Sequence, residues 1–423
     1  MRIVPSALIV LGLGYGVVSA PTLKQPERRS FKVESIRRSN TISGPSALRK
    51  AYVKYGIVAS DIGLGLEDFE PNVKIAATAD TNAKVAEPEL TGAVSAKSVD
   101  GDASFVSPIT IGGQELVVTF DTGSSDFWVV NTRLPEDLIE GHTAYDPSQS
   151  DTFKNMTGST FNITYGDDSY AYGGVGTETV NVGGVTVTGQ SIGLPTKVST
   201  SILEDSHSNG LVGLGFTSLN TVEPKKQKSF FETVASVLDE PVLGASLISD
   251  GVGQYEFGTI DTSKFKGDLV NASVDASSGF WKFESSYYRV GDGEMKKHDH
   301  ATSTIADTGT SLMLLEQVVV DEYYEQVDGA QYATSASGYI YPCNTTLPSL
   351  SIAIGPEHLA TVPGELISFS EVGTNTTTGE TVCYGGIQSN QGLDMQILGD
   401  TFLKAFYVVF DLRGPSIGVG SPV

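Results

Sequence analysis

An internal repeat constrains the fold of this chain more than any other feature of its sequence. Asp121-Thr-Gly-Ser-Ser125 recurs as Asp307-Thr-Gly-Thr-Ser311, and Leu211-Val-Gly213 recurs as Ile397-Leu-Gly399. Both recurrences are 186 residues apart, so each Asp is followed 92 residues later by a glycine behind two aliphatic residues. A single Asp-Thr-Gly is usually a turn after a strand. Two copies with the same partner at the same distance predict a duplicated structure of two lobes.

The pattern from about residue 103 onward predicts a mainly all-β fold. Apolar, β-branched runs flank Gly-Gly at 112–113 and again at 183–184, as is typical of tight hairpins. Helix signals are few: residues 46–55 in front of Gly56, a capping box of Ser229 with Glu232, and residues 317–327. We therefore expect two β lobes with few short helices.

The paired Asp residues indicate a specific chemistry. If the lobes are related by a pseudo-twofold axis, the two turns face each other and Asp121 and Asp307 share one site. Two carboxylates so close hold one proton between them, because ionising both is costly. One carboxylate can then act as a general base on a water while the other donates a proton to a carbonyl. No covalent acyl-enzyme is required.

The charge distribution divides the chain. The formal net charge is −23, which argues against nucleic-acid binding because phosphates attract the opposite sign. Residues 1–56 nevertheless carry ten Lys or Arg and only two Glu, whereas residues 101–423 carry 14 basic and 40 acidic side chains. The basic front end is either an independently solvated tail or a detachable segment that docks on the acidic body by charge.

The N-terminus predicts export. Arg2, an apolar run over 3–18 and Val-Ser-Ala at 18–20 are typical of a secretory signal peptide, residues 1–20. A membrane anchor is the alternative, but Pro5 and several small residues weaken the run as a span. Two cysteines fit an oxidising compartment and one disulfide, with free thiols as the alternative. Five sequons could be glycosylated in a secreted protein, at Asn155, Asn162, Asn271, Asn344 and Asn375.

These motifs resemble those of the pepsin-like aspartic proteases, and most of all the secreted fungal acid proteases of the aspergillopepsin and penicillopepsin group. The resemblance extends from about residue 100 to the C-terminus. It is carried by Phe120-Asp-Thr-Gly-Ser-Ser-Asp-Phe-Trp128, Ile305-Ala-Asp-Thr-Gly-Thr-Ser311, Cys383-Tyr-Gly-Gly-Ile-Gln-Ser389 and Ile397-Leu-Gly-Asp400. It implies the bilobal pepsin-like fold, with a cleft between two pseudo-twofold-related β lobes, and an aspartic endopeptidase active in acid and made as a zymogen.

The resemblance also implies a role for each matching position. It makes Asp121 and Asp307 the catalytic pair. Thr122, Ser124, Thr308 and Thr310 would support the catalytic loops, and Gly213 and Gly399 would brace them. Substrate would contact Gly123, Tyr165, Gly166, Asp167, Ser169 and Gly309, where 164–167 resembles the flap, a hairpin that closes over bound peptide. Trp128 would support the flap, Cys343 and Cys383 would form the disulfide, and Lys54 and Tyr55 would block the site.

The same resemblance predicts organisation and partners. We expect a signal peptide at 1–20, an inhibitory propeptide and linker at 21–97, and catalytic lobes at 98–272 and 273–423. The substrates would be proteins and peptides with hydrophobic residues at P1 and P1′. Asp167 would also admit lysine at P1, with Asp168 replacing the usual Gly. Pepstatin-type inhibitors should bind, the protein should be a secreted monomer, and no cofactor, metal, nucleic acid or membrane partner is expected.

Three alternatives and one physical expectation complete the prediction. A glycoside hydrolase also uses two carboxylates, but only two Trp are available to stack sugars. A binding protein on the same fold would be expected to have damaged Asp-Thr-Gly turns. His298-Asp-His300 could bind a metal, but we expect a solvated loop there. Crowded carboxylates should raise folded-state pKa values, so the mature enzyme should lose stability towards neutral pH.

Overall fold

The computed structural model of this protein describes residues 30–37, 43–57, 105–164, 170–203, 208–249, 252–300, 302–356, 358–375 and 378–423. The described residues form 26 β-strands and four α-helices, which confirms the predicted mainly β class. The helices are α1 (Gly44–Lys54), α2 (Phe230–Val234), α3 (Gln317–Glu325) and α4 (Asp400–Leu403). The predicted signal peptide at 1–20 lies outside the described residues.

The strands divide around residue 260. Those before it are β1 (Phe31–Arg37), β2 (Phe105–Ile111), β3 (Gln114–Asp121), β4 (Phe127–Val129), β5 (Lys154–Thr164), β6 (Tyr170–Val182), β7 (Val185–Val198), β8 (Gly210–Gly213), β9 (Val242–Ser246) and β10 (Gly253–Phe257). Those after it are β11 (Phe265–Asp275), β12 (Lys282–Glu284), β13 (Tyr287–Val290), β14 (Lys296–Lys297), β15 (Ser303–Ala306), β16 (Met313–Leu315), β17 (Gln331–Ala333), β18 (Gly338–Pro342), β19 (Leu350–Ile354), β20 (His358–Val362), β21 (Ser368–Thr374), β22 (Thr381–Gly385), β23 (Ile387–Ser389), β24 (Met395–Leu398), β25 (Tyr407–Asp411) and β26 (Ser416–Pro422).

Both predicted Gly-Gly hairpins are present. Strands β2 and β3 are joined by Gly112 and Gly113, whose φ angles are 54° and 82°. Strands β6 and β7 are joined in the same way by Gly183 and Gly184, with φ angles of 57° and 86°. Two consecutive positive φ angles are strained for a residue with a Cβ, so glycine is required for these tight turns.

The helices begin where local capping groups predict. The Ser43 side chain accepts the Ser46 N–H at the start of α1, and Gly56 follows the helix with a φ of 73°. The predicted capping box at α2 is confirmed, since Ser229 and Glu232 satisfy each other's backbone N–H groups. Helix α3 begins at the predicted residue and ends two residues earlier than expected.

The sequence repeat is also a repeat of strand pairing. Strand β3 pairs in parallel with β8, with Thr119 opposite Leu211. Strand β15 pairs in parallel with β24, with Ile305 opposite Ile397. The members of these two pairs are again 186 residues apart. Each half also adds an antiparallel strand, β4 on β8 and β16 on β24. Equivalent pairings in both halves give the bilobal pepsin-like fold its pseudo-twofold symmetry.

A shared sheet joins the halves. In it β25 pairs with both β9 and β26, β26 pairs with β11, and β10 pairs with β9. The basic front segment contributes β1, which pairs with β10 over five residue pairs starting at Phe31 opposite Phe257, and then with β2. The expected division between the lobes at 272/273 falls inside β11, which continues from this shared sheet to β12. The lobe boundaries therefore stay a prediction.

Aromatic side chains fill the region beneath the first Asp turn. The Phe120 ring meets those of Tyr255 and Phe257 edge to face, at centroid distances of 5.2 and 6.0 Å. Trp281 lies in the same core and donates its indole N–H to the carbonyl of Leu214. Each such buried aromatic ring stabilises the fold by roughly 2 kcal/mol, so the strand that delivers Asp121 is firmly fixed.

The two cysteines are paired, as the resemblance implied. Cys343 and Cys383 form a disulfide with their Cα atoms 4.9 Å apart, which links the end of β18 to β22. No helix among the described residues is both long and apolar enough to cross a membrane.

Candidate active site

The two Asp-Thr-Gly turns hold their carboxylates with equivalent contacts. Asp121 accepts the Gly123 N–H at 2.8 Å on Oδ1 and the Ser124 hydroxyl at 2.7 Å on Oδ2. Asp307 accepts the Gly309 N–H at 2.9 Å on Oδ1 and the Thr310 hydroxyl on Oδ2. Both Asp side chains are buried, at 1% exposure or less. Each carboxylate is therefore fixed in orientation by donors from its own turn.

Two buried threonines tie the turns to each other. The Thr122 hydroxyl donates to the carbonyl of Ala306 at 2.9 Å, and the Thr308 hydroxyl donates to the carbonyl of Phe120 at 2.8 Å. Each hydroxyl also accepts the backbone N–H of the other threonine, at 3.0 and 3.1 Å. These four hydrogen bonds cross between the two halves, so they fix the separation of the carboxylates.

The bracing glycines have no room for a side chain. A Cβ on Gly213 would lie 2.5 Å from the backbone carbon of Ser125, and one on Gly399 would overlap the carbonyl of Thr310. Gly213 donates its N–H to the carbonyl of Asp126 at 2.9 Å, and Gly399 donates to Leu312. The backbones of β8 and of the β24–α4 junction therefore pack directly against the two turns.

The basic front segment reaches into this site. The Lys54 Nζ atom lies 2.7 Å from Oδ1 of Asp121 and 2.8 Å from Oδ2 of Asp307. The Tyr55 hydroxyl donates to Oδ2 of Asp307 at 2.5 Å. Only 13% of the Lys54 side chain is exposed. One ammonium thus bridges both carboxylates and occupies the position between them.

Helix α1 holds Lys54 in place by apolar packing. Its buried face contacts side chains of the second half, and Leu48 is completely buried. The Tyr52 hydroxyl donates to the carbonyl of Ser389 at 2.8 Å. The buried residues of this contact are Ala47, Leu48, Ala51, Tyr52, Ile57, Ile305, Leu312, Leu314, Ala336, Phe369, Tyr384 and Ile397.

Burial and the bridging ammonium set the pKa values here. Burial lowers the pKa of Lys54, but the charges of Asp121 and Asp307 outweigh that effect, so its pKa is raised and it stays charged. Burial raises the pKa of Asp307, yet the Lys54 charge and several hydrogen bonds hold it well below the usual range. Burial and the neighbouring Asp307 leave the pKa of Asp121 raised, despite Lys54. Asp121 is thus the carboxyl that binds a proton more readily while Lys54 is present.

The predicted flap can be followed only up to its tip. Strand β5 ends at Thr164 and pairs with β6, which begins at Tyr170. Tyr165, Gly166, Asp167 and Ser169 lie between these strands and outside the described residues. Trp128, the predicted flap support, is buried against Phe161 of β5 and other apolar residues of that side.

Sequence reasoning missed three buried polar groups near the turns. Asp126 and Asp400 are 5% and 1% exposed, and both lie within motifs whose other residues had attracted attention. A charged residue inside an apolar motif was the available signal. Tyr255 is fully buried and carried no such signal; burial and the nearby Asp400 carboxylate raise its pKa well above the ordinary value.

The expectation of a solvated loop at His298-Asp-His300 is wrong for His298. That side chain is 3% exposed, stacks near the ring of Tyr288, and places Nδ1 3.3 Å from Oε2 of Glu316. Burial lowers its pKa. Asp299 and His300 are exposed, as expected. Among the described residues no group of three or more His, Cys, Asp or Glu could hold a metal ion.

A duplicated β fold with two facing Asp-Thr-Gly turns defines the class of aspartic proteases. A model of the eukaryotic aspartyl protease family matches residues 104–421. The chain therefore belongs to the eukaryotic aspartyl protease family, and within it to the aspergillopepsin-like aspartic endopeptidases.

Three relatives illustrate this membership. An aspergillopepsin A-like aspartic endopeptidase of Aspergillus fumigatus is 62% identical, over 100% of this chain and 100% of the relative. An aspartic protease of Coccidioides posadasii is 48% identical over 99% of this chain and 95% of its own length. Aspergillopepsin-1 of Aspergillus fumigatus is 40% identical over 97% of this chain and 96% of its own length.

Proposed function

We propose that this protein is the zymogen of a secreted acid endopeptidase, in which Asp121 and Asp307 activate a water molecule to hydrolyse internal peptide bonds. The observation that carries the proposal is the convergence of both carboxylates on one cation, Lys54, within 3.0 Å. Carboxylates that share one cation are close enough to share one proton once the cation leaves. A water between them would then face a general base and a general acid together.

The reaction would proceed by proton transfers at this pair. The ionised carboxylate removes a proton from the water, whose oxygen attacks the peptide carbonyl. The protonated carboxyl donates its proton to the carbonyl oxygen, which gives a neutral tetrahedral intermediate. Transfer of a proton to the leaving nitrogen then breaks the C–N bond. The contacts from Ser124 and Thr310 support this role because they keep the inner oxygens directed at the shared position.

The front segment would keep the enzyme inactive until it reaches acid. Lys54 and Tyr55 occupy the place where water and substrate must bind, and residues 1–56 carry the charge opposite to that of the body. Protonation of body carboxylates would weaken this docking and permit self-cleavage in the linker at 71–100. The propeptide would then comprise 21–97, and lobes at 98–272 and 273–423 would form the mature enzyme.

Substrate preference would depend on the flap. We infer hydrophobic residues at P1 and P1′, with lysine accepted at P1 through Asp167, since an acidic group can pair with a substrate ammonium. Secretion would follow from residues 1–20. A monomer and binding of pepstatin-type inhibitors complete the proposal.

Hydrolysis of denatured haemoglobin or casein between about pH 2.5 and 7.5 tests this function. The assay compares wild type with Asp121→Asn and Asp307→Asn, with and without pepstatin. Asp151→Asn, an exposed position, is the matched control because it removes one carboxylate outside the site. We expect acid-optimal cleavage that pepstatin and either site substitution abolishes, while the control cleaves normally. Activity that survives both site substitutions, or no activity after removal of the propeptide, would instead indicate a binding protein on this fold.

A further inference from the structure

Asp126 is a buried carboxylate that none of the proposed steps uses. It lies five residues after Asp121 and is 5% exposed. Its oxygens accept the Asn220 side-chain N–H at 3.1 Å, the Thr221 hydroxyl at 3.1 Å, and the Thr221 backbone N–H at 3.1 and 3.2 Å. Four hydrogen bonds from neutral donors thus reach one carboxylate, and they come from a segment about a hundred residues away.

That segment is in turn attached to the flap strand β5. The Thr221 hydroxyl oxygen accepts the backbone N–H of Asn162 at 3.3 Å. Glu223 and Thr160 exchange two backbone hydrogen bonds, at 2.9 and 3.1 Å. A continuous path therefore runs from the Asp121 turn through Asp126 and Thr221 to β5, three residues before the end of the described part of that strand.

We propose that Asp126 is a positioning residue whose protonation state sets how firmly residues 220–223 hold strand β5, and through it the flap. The ionised carboxylate can only accept, so the Thr221 hydroxyl donates to it and keeps its lone pairs for the Asn162 N–H. The neutral carboxyl can donate its own O–H to the Thr221 oxygen. That donation occupies a lone pair and turns the Thr221 hydrogen away, so the contact with Asn162 becomes weaker.

The surroundings place this change in the working range of an acid enzyme. Burial raises the pKa of Asp126 to about 6, against the opposing effects of the Thr221 hydrogen bonds and the charge of Lys226. Lys226 is the charged group that acts on Asp126 within the described residues, since Gly213, Asn220 and Thr221, which contact it, are neutral. The hold on β5 is accordingly loose below about pH 6 and firm above it.

The consequence for catalysis rests on the proposed function. Opening and closing of a hairpin over the substrate often limits turnover. A flap strand that is held loosely in acid and firmly near neutrality would make turnover fall on the alkaline side, independently of the catalytic pair.

Amide hydrogen exchange of Asn162 in the full chain tests the positioning role directly. Protection is compared at about pH 4.5 and 7.5 after correction for the intrinsic rate at each pH. We expect wild-type protection to be about fivefold higher at the upper pH, which corresponds to one weakened hydrogen bond. Asp126→Asn imitates the neutral carboxyl, because its amide donates to Thr221, and should abolish the difference. Asp151→Asn should retain it.

Thr221→Val keeps the proposal testable if Asp126→Asn does not fold. It removes the hydroxyl and keeps the backbone N–H that binds Asp126, so protection at Asn162 should be low and equal at both pH values. The proposal is overturned if wild-type protection is the same at both values, or if either variant keeps the wild-type difference.

A kinetic measurement then separates this inference from the proposed function. In the acid-activated protein, Asp126→Asn should move the alkaline limb of the kcat profile to higher pH, by a larger factor than any change in KM. An alkaline limb that coincides with wild type would contradict the catalytic consequence. If wild type cleaves no substrate at any pH, the proposed function fails, while the exchange result at Asn162 still decides the role of Asp126.

Discussion

The ammonium of Lys32 lies 2.7 Å from Oε1 of Glu256, whose side chain is completely buried. Lys32 stands on β1 of the basic front segment and Glu256 on the adjacent strand β10, and the two residues are paired in register. Lys32 also binds Asp261 at 2.7 Å, and the Tyr407 hydroxyl donates to the other Glu256 oxygen at 2.8 Å. The front segment is therefore held by charge at two places, here and at the paired aspartates.

Replacement of Lys32 by Ala should loosen β1 without touching the active site. The nearest remaining cation, Lys264, is 3.9 Å from the buried Glu256 oxygen. Removal of one partner from a buried charge is strongly destabilising, so amide exchange over residues 31–37 should accelerate at least about tenfold. Lys50→Ala, on the exposed face of α1, is the matched control. Unchanged exchange in Lys32→Ala would show that strand pairing alone holds this segment.

The Lys32 contact also predicts a response to acid. The hydrogen bond from Lys32 is the main cause of the lowered pKa of Asp261. A lowered carboxyl pKa stabilises the folded state above the ordinary value of about 3.9, and this contribution is lost as pH falls below it. Exchange over 31–37 in wild type should thus rise below about pH 4. In Lys32→Ala this acid-dependent rise should be smaller.

Lys54→Ala should make release of the front segment easier. The substitution removes the only cation that contacts both Asp121 and Asp307 among the described residues. Without it the two buried carboxylates repel each other, and α1 loses its strongest polar contact with the body. We expect conversion to the shorter form at about pH 5 to be at least about tenfold faster than in wild type, followed by mass spectrometry. Lys50→Ala should convert at the wild-type rate; the same rate in Lys54→Ala would contradict a restraining role.

The duplicated part of the structure could be predicted well, and there is a physical reason. Two copies of one pattern must fold alike, so the spacing between Asp121 and Asp307 also fixed the spacing between Thr119 and Ile305 in their sheets. The glycine hairpins and the capping box are local, because their geometry depends on neighbouring residues alone. These features need no knowledge of distant contacts.

Features that depend on distant partners could not be predicted. His298 is buried because Tyr288 and Glu316 close around it, and neither lies beside it in sequence. Strand β1 carries several charged residues and forms because β10, more than 200 residues away, offers an open edge. Asp126 in the same way takes its hydrogen bonds from residues 220–221. Burial of a charge is a property of the assembled fold, so its pKa is too.

The threonine cross-link between the turns predicts a loss of stability that is similar from either side. Thr122→Val removes a hydroxyl that donates to Ala306 and accepts from Thr308, and leaves both backbone groups buried without that partner. Unsatisfied buried polar groups cost about 1–3 kcal/mol each, so urea unfolding should show a loss of about 2–4 kcal/mol. Thr308→Val should behave alike. Thr188→Val, on the exposed face of β7, should change stability by less than about 0.5 kcal/mol.

The raised pKa of Asp126 predicts that the folded state loses stability as pH rises. The unfolded carboxyl ionises near its ordinary value, about 3.9, while the folded one stays neutral up to about 6. Between these values the unfolded state gains from ionisation and the folded state does not, so the free energy of unfolding should fall by about 3 kcal/mol. Denaturant unfolding at about pH 4 and 7 measures this fall. Asp126→Asn should lose less stability than wild type over that interval by about the same amount, and Asp151→Asn should match wild type. An equal fall in Asp126→Asn and wild type would assign the instability to the general crowding of carboxylates in the acidic body.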